Sequence, residues 1–295
     1  MPSEIIQWFP GHMAKTRRLI TENLKNVDIV IEILDARIPY SSRNPEIGRL
    51  TEGKPRIVLL NKASLADPAE TAYWCRRFSG KNTVCIPTDC ITGEGISKIY
   101  PAVKEILAEK VERYESKGMA GRKLKAMVLG IPNVGKSSLI NKISGGKRAK
   151  VENRPGVTLN KQWFSTGIGL DIMDMPGILW PKFDDRKVGE NLAITGAIKD
   201  AVLDVEEIAC CLCNRLRTLY PALLCERYKL DAVADVEEES DYDLFLRIGK
   251  KRGFLISGGE VNEERTANML LDEFRAAKVG RITLDGIFKS EESNA

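Results

Sequence analysis

Residues 130–137 constrain the fold of this chain more than any other segment. They read Gly-Ile-Pro-Asn-Val-Gly-Lys-Ser and have the spacing GxxxxGK[ST]. In this spacing glycines let backbone N–H groups surround phosphates, the lysine supplies a positive charge and the serine hydroxyl can hold Mg²⁺. A strand-like run precedes the segment at residues 125–129, and a helical pattern follows at residues 136–143. The sequence therefore predicts a strand, a nucleotide-binding phosphate loop and a helix in direct succession. The expected phosphate contacts are Asn133, Val134, Gly135, Lys136, Ser137 and Ser138.

Strand-like runs alternate with helix-length segments through the first two-thirds of the chain. The runs lie at residues 27–34, 56–60, 83–86, 125–129 and 170–173, and helical spacing lies at residues 67–78, 96–109 and 136–143. This alternation predicts βαβ units and a mostly parallel sheet with flanking helices, which is an α/β fold. Residues 110–123 are polar and resemble a surface connection.

The pattern changes after about residue 181. Helical periods then dominate at residues 205–219, 242–251 and 263–277, followed by a short strand-like run at residues 282–284. We therefore expect an α/β domain over residues 1–180, with an N-terminal extension at 1–25. A smaller all-helical domain is expected over residues 181–295.

Composition separates this chain from disordered and membrane proteins. It has 295 residues, of which 43% are hydrophobic and 29% charged, and a net charge of +4. The most apolar stretch, residues 27–34, is shorter than the roughly 20 residues that span a membrane. The first residues lack the pattern of an export signal, so we expect a cytoplasmic protein with no membrane partner and with seven reduced cysteines. Basic clusters at residues 147–154 and 250–252 fit either phosphate contacts or a solvated face.

A second motif follows the phosphate loop at the distance expected for a Mg²⁺ partner. Asp174-Met-Pro-Gly177 stands at the end of the run at residues 170–173. A carboxylate there suits water-bridged Mg²⁺, and the Gly177 N–H can meet a terminal phosphate. Between the motifs, Thr158 of Pro-Gly-Val-Thr could present its hydroxyl to Mg²⁺, or the segment could be a plain turn. The expected metal ligands are Ser137, Thr158 and Asp174.

Base-recognition motifs precede the phosphate loop. Asn61-Lys62-Ala-Ser64 follows a strand-like run and is similar to the Asn-Lys-x-Asp pattern of GTPases. Cys90-Ile91 stands where such proteins place a loop whose backbone N–H contacts the guanine oxygen. In Ras-like proteins the phosphate loop comes first, so the set is present here in rotated order. A sheet whose ends lie close together tolerates such a rearrangement.

The chain resembles the circularly permuted GTPases of the YlqF/YawG type that assist ribosome assembly. The resemblance runs through most of the chain and is carried by long strings. They are Trp8-Phe-Pro-Gly-His12-Met, Asp35-Ala-Arg37-Ile-Pro39, Ser42-Arg-Asn-Pro45, the phosphate loop with Asn133, Arg154-Pro-Gly-Val-Thr158, Asp174-Met-Pro-Gly-Ile-Leu-Trp-Pro181, Thr195-Gly-Ala-Ile-Lys199 and Ser257-Gly-Gly259.

The resemblance implies a function and several residue roles. Such proteins bind GTP with Mg²⁺, hydrolyse it slowly alone and act late in the maturation of the large (50S) ribosomal subunit, meeting its rRNA and proteins. Their helical domain is an RNA-binding unit. The resemblance implies that His12 positions the attacking water, with Lys136 and Thr158 as further catalytic groups, although a lone histidine is more often structural. The resemblance also implies that Asn133 holds a K⁺ ion near the phosphates. The alternative is that Asn133 is an ordinary loop residue.

Two positions depart from the GTPase pattern. Ile178 stands where Ras-like enzymes carry a glutamine, and it cannot orient water. Ser64 replaces the aspartate that reads guanine, which predicts weaker guanine affinity unless Asp67 reaches back. Both departures leave open an alternative function, in which the protein is a nucleotide-dependent RNA-binding scaffold and its hydrolysis of GTP is incidental. A P-loop kinase or ATPase is a third reading, which the Asn61-Lys62 pair and the rotated order disfavour.

Overall fold

The computed structural model describes residues 10–119, 121–146, 162–180, 183, 185–235 and 237–288. Of residues 10–13, 202, 287 and 288 it describes the backbone alone. The chain divides into two compact units after residue 184.

A single six-stranded sheet forms the centre of the first unit, counted over the described residues. Its strands are β1 (Ile29–Asp35), β2 (Arg56–Asn61), β3 (Thr83–Pro87), β4 (Leu124–Leu129), β5 (Gln162–Ser165) and β6 (Leu170–Asp174). Their order across the sheet is β3-β2-β1-β4-β6-β5. All neighbouring strands are parallel except β5 and β6. The mostly parallel α/β sheet expected from the alternating pattern is confirmed.

Helices precede and connect these strands. They are α1 (Pro10–Leu24), α2 (Pro45–Leu50), α3 (Pro68–Phe78), α4 (Ile99–Ile106), α5 (Ala108–Ser116) and α6 (Lys136–Ile143). Both α2 and α3 begin with proline, after a capping residue whose side chain accepts from backbone N–H groups. Proline suits this first position because its missing N–H would have no helical partner.

The central strands β1, β2 and β4 of the sheet are almost fully buried. Every residue of β1 is buried, which is typical of parallel strands covered by helices on both sides. On one face, Ile20 of α1 and Ile47 of α2 pack with Val30 and Met127 of the sheet. Because the parallel strands share a direction, they carry their following loops to one edge of the sheet, where ligands bind in such folds.

The second unit is helical. It contains α7 (Arg186–Ile194), α8 (Val205–Leu219), α9 (Pro221–Tyr228), α10 (Asp241–Lys251) and α11 (Glu263–Arg275). The side chains of Asp185, Asp204, Ser240 and Asn262 cap four of these helices by accepting from backbone N–H groups of the first turn. The all-helical C-terminal region is confirmed.

Two local expectations were wrong. Residues 282–284 are not a strand, because the hydroxyl of Tyr220 satisfies the backbone N–H and C=O of Thr283 at 3.1 and 3.2 Å, and a 3₁₀ turn follows at Leu284–Phe288. Residues 110–116, expected as a surface connection, belong to α5. Their charged side chains are good helix formers. No helix of the described ranges has both the length and the apolar character that crossing a bilayer requires.

Candidate active site

The phosphate loop joins β4 to α6 and depends on glycine at position 135. Gly135 has φ +104°, and a Cβ there would lie 2.2 Å from Nδ2 of Asn61. Asn133 also has a positive φ, +59°. Only glycine fits position 135 without displacing Asn61, so the close approach of the two segments requires this residue. Ser137 and Ser138 follow in the first turn of α6.

Lys136 is buried inside this loop. Its Nζ donates to the carbonyl oxygens of Gly130 at 3.1 Å and Ile131 at 2.8 Å. Burial lowers the pKa of Lys136 to about 8, although the charge of Asp174 opposes this shift. The loop therefore holds an ammonium group among backbone dipoles, at the N-terminal end of a helix. This arrangement suits a polyphosphate.

Asp174 and Ser137 provide the oxygen atoms that suit Mg²⁺. Asp174 is the buried last residue of β6, and it stands opposite Val128 of the neighbouring β4. Ser137 is the second residue of α6, at the end of the phosphate-loop motif. A carboxylate and a hydroxyl are ligands that Mg²⁺ prefers, and this ion usually takes few protein ligands beside phosphates and water. The third expected ligand, Thr158, lies outside the described residues.

The segment after Asp174 lies directly on the phosphate loop. A Cβ at Gly177 would lie 2.9 Å from the backbone nitrogen of Pro132 and 3.0 Å from Nζ of Lys136. The N–H of Ile178 donates to the carbonyl oxygen of Gly130 at 3.3 Å. Position 177 must therefore be small, and its backbone lies beside the lysine ammonium.

The side chain of Ile178 points into the core and away from solvent. It is 2% exposed and packs with Ile20 of α1 and with Met175. The side chain of Asn44 donates to its carbonyl oxygen at 3.1 Å. The position that carries glutamine in Ras-like proteins is thus part of the packing between sheet and helices.

Asn61 links the phosphate loop to the segment that includes Cys90. Its Nδ2 donates to the carbonyl oxygen of Val134 at 2.6 Å, and its Oδ1 accepts from the N–H of Cys90 at 3.0 Å. Burial, with a further contribution from Asp89, raises the pKa of the Cys90 thiol to about 12. Ile91, the next residue, has an 85% exposed side chain. The residues expected at the base and at the phosphates are therefore neighbours, despite their distance in the chain.

Lys62 is held by partners that the sequence did not assign to the site. Its Nζ contacts Asp35 Oδ2 at 2.8 Å. The guanidinium of Arg37 binds the same carboxylate, with Nη2 at 2.7 Å from Oδ2. Burial alone would raise the pKa of Asp35, but Arg37 and Lys62 outweigh it and hold that pKa well below its usual range. The string Asp35-Ala-Arg37, recognised only as part of the resemblance, fixes the ammonium end of Lys62.

Ser64 contacts an aspartate other than the expected one. Its hydroxyl donates to Oδ2 of Asp89. Asp67 instead caps α3, where its Oδ1 accepts from the N–H groups of Ala69 at 2.8 Å and Glu70 at 3.3 Å. Asp89 was missed by the sequence analysis, although its place at the end of a strand-like run, just before Cys90, was a usable signal.

The catalytic histidine suggested by the resemblance lies at the start of α1. The backbone of His12 belongs to the first turn of this helix, and its side chain is not described. Helix α1 is fixed to α2 by Arg17, whose Nε donates to Glu46 Oε2 at 2.8 Å.

Comparison with known proteins identifies the family of the chain. A family model described as "50S ribosome-binding GTPase" matches residues 125–223. The "Ribosome biogenesis GTPase A" of Priestia megaterium is 46% identical over 288 residues, which cover 97% of this chain and 99% of that protein. Two solved structures are each 25% identical. A GDP-bound TM YlqF has a TM-score of 0.62 and covers 90% of this chain and 98% of its own. A GNP-bound YlqF from T. maritima has a TM-score of 0.59 and covers 92% of this chain and 97% of its own. The chain belongs to the ribosome biogenesis GTPase A family of circularly permuted, GTP-hydrolysing P-loop enzymes.

Proposed function

We propose that this GTPase times a late step in assembly of the large (50S) ribosomal subunit, and that the subunit stimulates its hydrolysis of GTP. The burial of Ile178 carries this proposal. Hydrolysis needs a water placed in line with the γ-phosphate, and the residue that orients it in Ras-like enzymes is here a core side chain. Slow turnover of the free protein follows, and a partner that supplies the missing group would control the timing.

Each part of the nucleotide has its own set of residues in this proposal. The base meets Asn61, Lys62, Ser64, Cys90 and Ile91. The phosphates meet the loop and the first turn of α6, through Asn133, Val134, Gly135, Lys136, Ser137 and Ser138, and meet the N–H of Gly177. Ser137, Thr158 and Asp174 would hold Mg²⁺, which when bound neutralises charge on the phosphate oxygens. Lys136 would stabilise the same charge from the loop side.

His12 is the proposed group for positioning the water. Helix α1, which carries it, packs through Ile20 against the core cluster that contains Ile178. Docking on the ribosomal subunit would bring the start of this helix to the γ-phosphate. In this proposal His12→Ala abolishes stimulation by the subunit and leaves the slow intrinsic rate unchanged. Equal stimulation of the wild type and the variant would overturn the role of His12.

A K⁺ ion beside Asn133 is a further part of the proposal. The positive φ of Asn133 is a conformation that asparagine tolerates better than most residues, which also suits an ordinary loop position. Hydrolysis rates in KCl and NaCl at equal ionic strength distinguish a K⁺-binding Asn133 from an ordinary loop asparagine. Faster turnover in KCl supports a bound K⁺, and equal rates reject it.

The helical second unit is the proposed contact with rRNA and ribosomal proteins, in the cytoplasm. Along the chain, residues 174–180, which meet the phosphate loop, lead into this unit at residue 185. Nucleotide state would therefore affect affinity for the subunit. Equal affinities with GDP and with a non-hydrolysable GTP analogue would contradict this coupling.

Multiple-turnover GTP hydrolysis with and without immature large subunits is the decisive experiment. We expect a large rise in phosphate release with these subunits and a smaller rise with mature ones. The alternative is a nucleotide-dependent RNA-binding scaffold with incidental hydrolysis, in which no partner supplies the group that the buried Ile178 lacks. For such a scaffold, nucleotide would change subunit binding while the subunits left the hydrolysis rate unchanged.

A further inference from the structure

We propose that Asp89 supplies the carboxylate that reads guanine in this protein, and that Ser64 holds this carboxylate in place before the nucleotide binds. In the usual GTPase pattern the carboxylate stands on the Asn-Lys-x-Asp segment itself, at the position of Ser64. Here it would have moved to the neighbouring loop. The inference rests on the proposal that residues 61–64 and 90–91 surround the base, and it adds a specificity-determining residue to that site.

Four hydrogen-bond donors converge on Asp89. Its Oδ2 accepts from the hydroxyl of Ser64, and its Oδ1 accepts from the N–H groups of Ile91 at 2.8 Å and Thr92 at 3.0 Å. The main-chain N–H of Ser64 also binds this carboxylate. Burial raises the pKa of Asp89, but these hydrogen bonds outweigh burial, and the net pKa lies below its ordinary value. Asp89 is therefore an ionised carboxylate at neutral pH.

The backbone brings Asp89 to Ser64 because their loops follow adjacent parallel strands. Leu60 of β2 stands opposite Pro87 of β3. Beyond the strands, the N–H of Ala63 donates to the carbonyl oxygen of Thr88 at 3.0 Å. The loops are thus joined on both sides of Asp89, through Thr88 and through Cys90, whose N–H binds Asn61. The carboxylate is held where the side chain of residue 64 ends.

The carboxylate of Asp89 and the neighbouring N–H of Ile91 offer the acceptor and donor groups that the hydrogen-bonding edge of guanine requires. This edge offers two donors, N1–H and the 2-amino group, beside one acceptor, O6. A serine hydroxyl cannot replace a carboxylate that accepts both donors. On binding, the guanine donors would replace the Ser64 hydroxyl on Oδ2, and O6 would accept the Ile91 N–H that Oδ1 accepts in the free protein. Asp67 cannot serve, because its carboxylate caps α3.

The test uses GDP and xanthosine diphosphate (XDP) in calorimetric titrations of the full-length protein. Xanthine carries a carbonyl oxygen where guanine carries its 2-amino group. Asp89→Asn keeps an acceptor for the Ile91 and Thr92 N–H groups and adds an amide donor. We expect it to weaken GDP binding by about 10- to 100-fold, as loss of a charged hydrogen bond predicts, and to strengthen XDP binding. Asp67→Asn is the matched control and should keep wild-type affinities, because asparagine caps helices equally well.

A second pair of variants tests the assignment from position 64. Ser64→Asp alone would place two carboxylates in contact, so we expect weaker GDP binding. The double variant Ser64→Asp, Asp89→Asn returns the carboxylate to the usual segment and should recover the preference for GDP over XDP.

Three outcomes would overturn the assignment of Asp89. They are an equal loss of GDP and XDP affinity in Asp89→Asn, an unchanged GDP affinity in that variant, and a stronger GDP affinity in Ser64→Asp alone.

The variant Lys136→Met separates a wrong assignment of Asp89 from a wrong assignment of the whole nucleotide site. If Lys136→Met weakens both ligands while Asp89→Asn changes neither, the site stands and only the role of Asp89 is wrong. If Lys136→Met changes neither, the proposed site itself fails.

Discussion

The side chain of Asn44 donates a hydrogen bond to the carbonyl oxygen of Ile178 at 3.1 Å, although 134 positions of sequence separate the two residues. The other amide atom of Asn44, Oδ1, accepts from the N–H of Glu46 and so begins α2. One buried side chain therefore starts a helix and holds the segment that lies on the phosphate loop. This link connects the start of α2 to the segment that carries Gly177 beside the phosphate loop.

Asn44→Asp tests that link, because aspartate still caps α2 but places a buried carboxylate oxygen, in place of the amide donor, against the carbonyl oxygen of Ile178. The buried carbonyl oxygen then loses its donor and faces a buried charge, so we expect the free energy of unfolding to fall by at least about 1–3 kcal/mol. GTP turnover should fall more than GDP affinity, because Gly177 on the loosened segment is the proposed contact of the terminal phosphate of GTP. Urea unfolding and steady-state hydrolysis measure both effects. An unchanged unfolding free energy would show that the hydrogen bond contributes nothing.

Ile178→Gln tests whether this position can act catalytically. In Ras-like enzymes the equivalent glutamine orients water, but here the side chain lies in the core. We expect the variant to lose about 1–3 kcal/mol of stability, from burial of an amide, with no gain in intrinsic turnover. Ile178→Val, which removes one methyl group, is the control and should cost about 1 kcal/mol. Faster intrinsic hydrolysis in Ile178→Gln would refute the buried placement.

Gly177→Ala tests the close contact between its segment and the phosphate loop. The added methyl group would lie 2.9 Å from Pro132 and 3.0 Å from the Lys136 ammonium. We expect displacement of the segment and a drop of about 10- to 100-fold in GTP turnover, as misplacement by about 1 Å produces. Gly167→Ala is the matched control, since a Cβ there meets no atom within 4 Å. Equal rates for the two variants would argue against the contact.

The depressed pKa of Lys136 predicts a pH dependence of nucleotide affinity. Burial lowers this pKa from 10.5 to about 8 in the free protein. Phosphate binding needs the charged ammonium, so above pH 8 the lysine must take up a proton on binding. GDP affinity should therefore fall as pH rises through 8, by up to about tenfold per unit. Lys136→Arg stays charged over this pH range and should remove the pH dependence of GDP affinity. If the wild type and Lys136→Arg show the same dependence of GDP affinity on pH, Lys136 is not its source.

Local sequence signals sufficed for the frame of the site. The phosphate-loop spacing, with a strand before it and a helix after it, predicts the local structure around Lys136 and Ser137 without knowledge of the rest of the fold. Parallel strands then bring Asn61 and Asp174 to the same edge of the sheet, so their relation follows from the alternation of strands and helices. These features depend on spacing within a few residues or on strand direction.

Contacts between loops were harder to predict from the sequence, because they depend on how distant segments pack. Nothing local shows that Ser64 meets Asp89 or that Asn44 meets Ile178. The charged sequence of α5 resembled a loop, since its helix buries little. Polarity alone does not distinguish an exposed helix from a connection.

The central claim is that loops in rotated order, residues 61–64 and 88–92 before residues 130–138, form one guanine-nucleotide site. Calorimetric titration of GDP and ADP into the wild type and Lys136→Met tests it most directly. We predict one GDP site per chain, much weaker binding of ADP, and a loss of at least about tenfold in GDP affinity in the variant, whose folding is checked by thermal unfolding. Equal binding of ADP and GDP, or undiminished GDP binding by folded Lys136→Met, would contradict the claim.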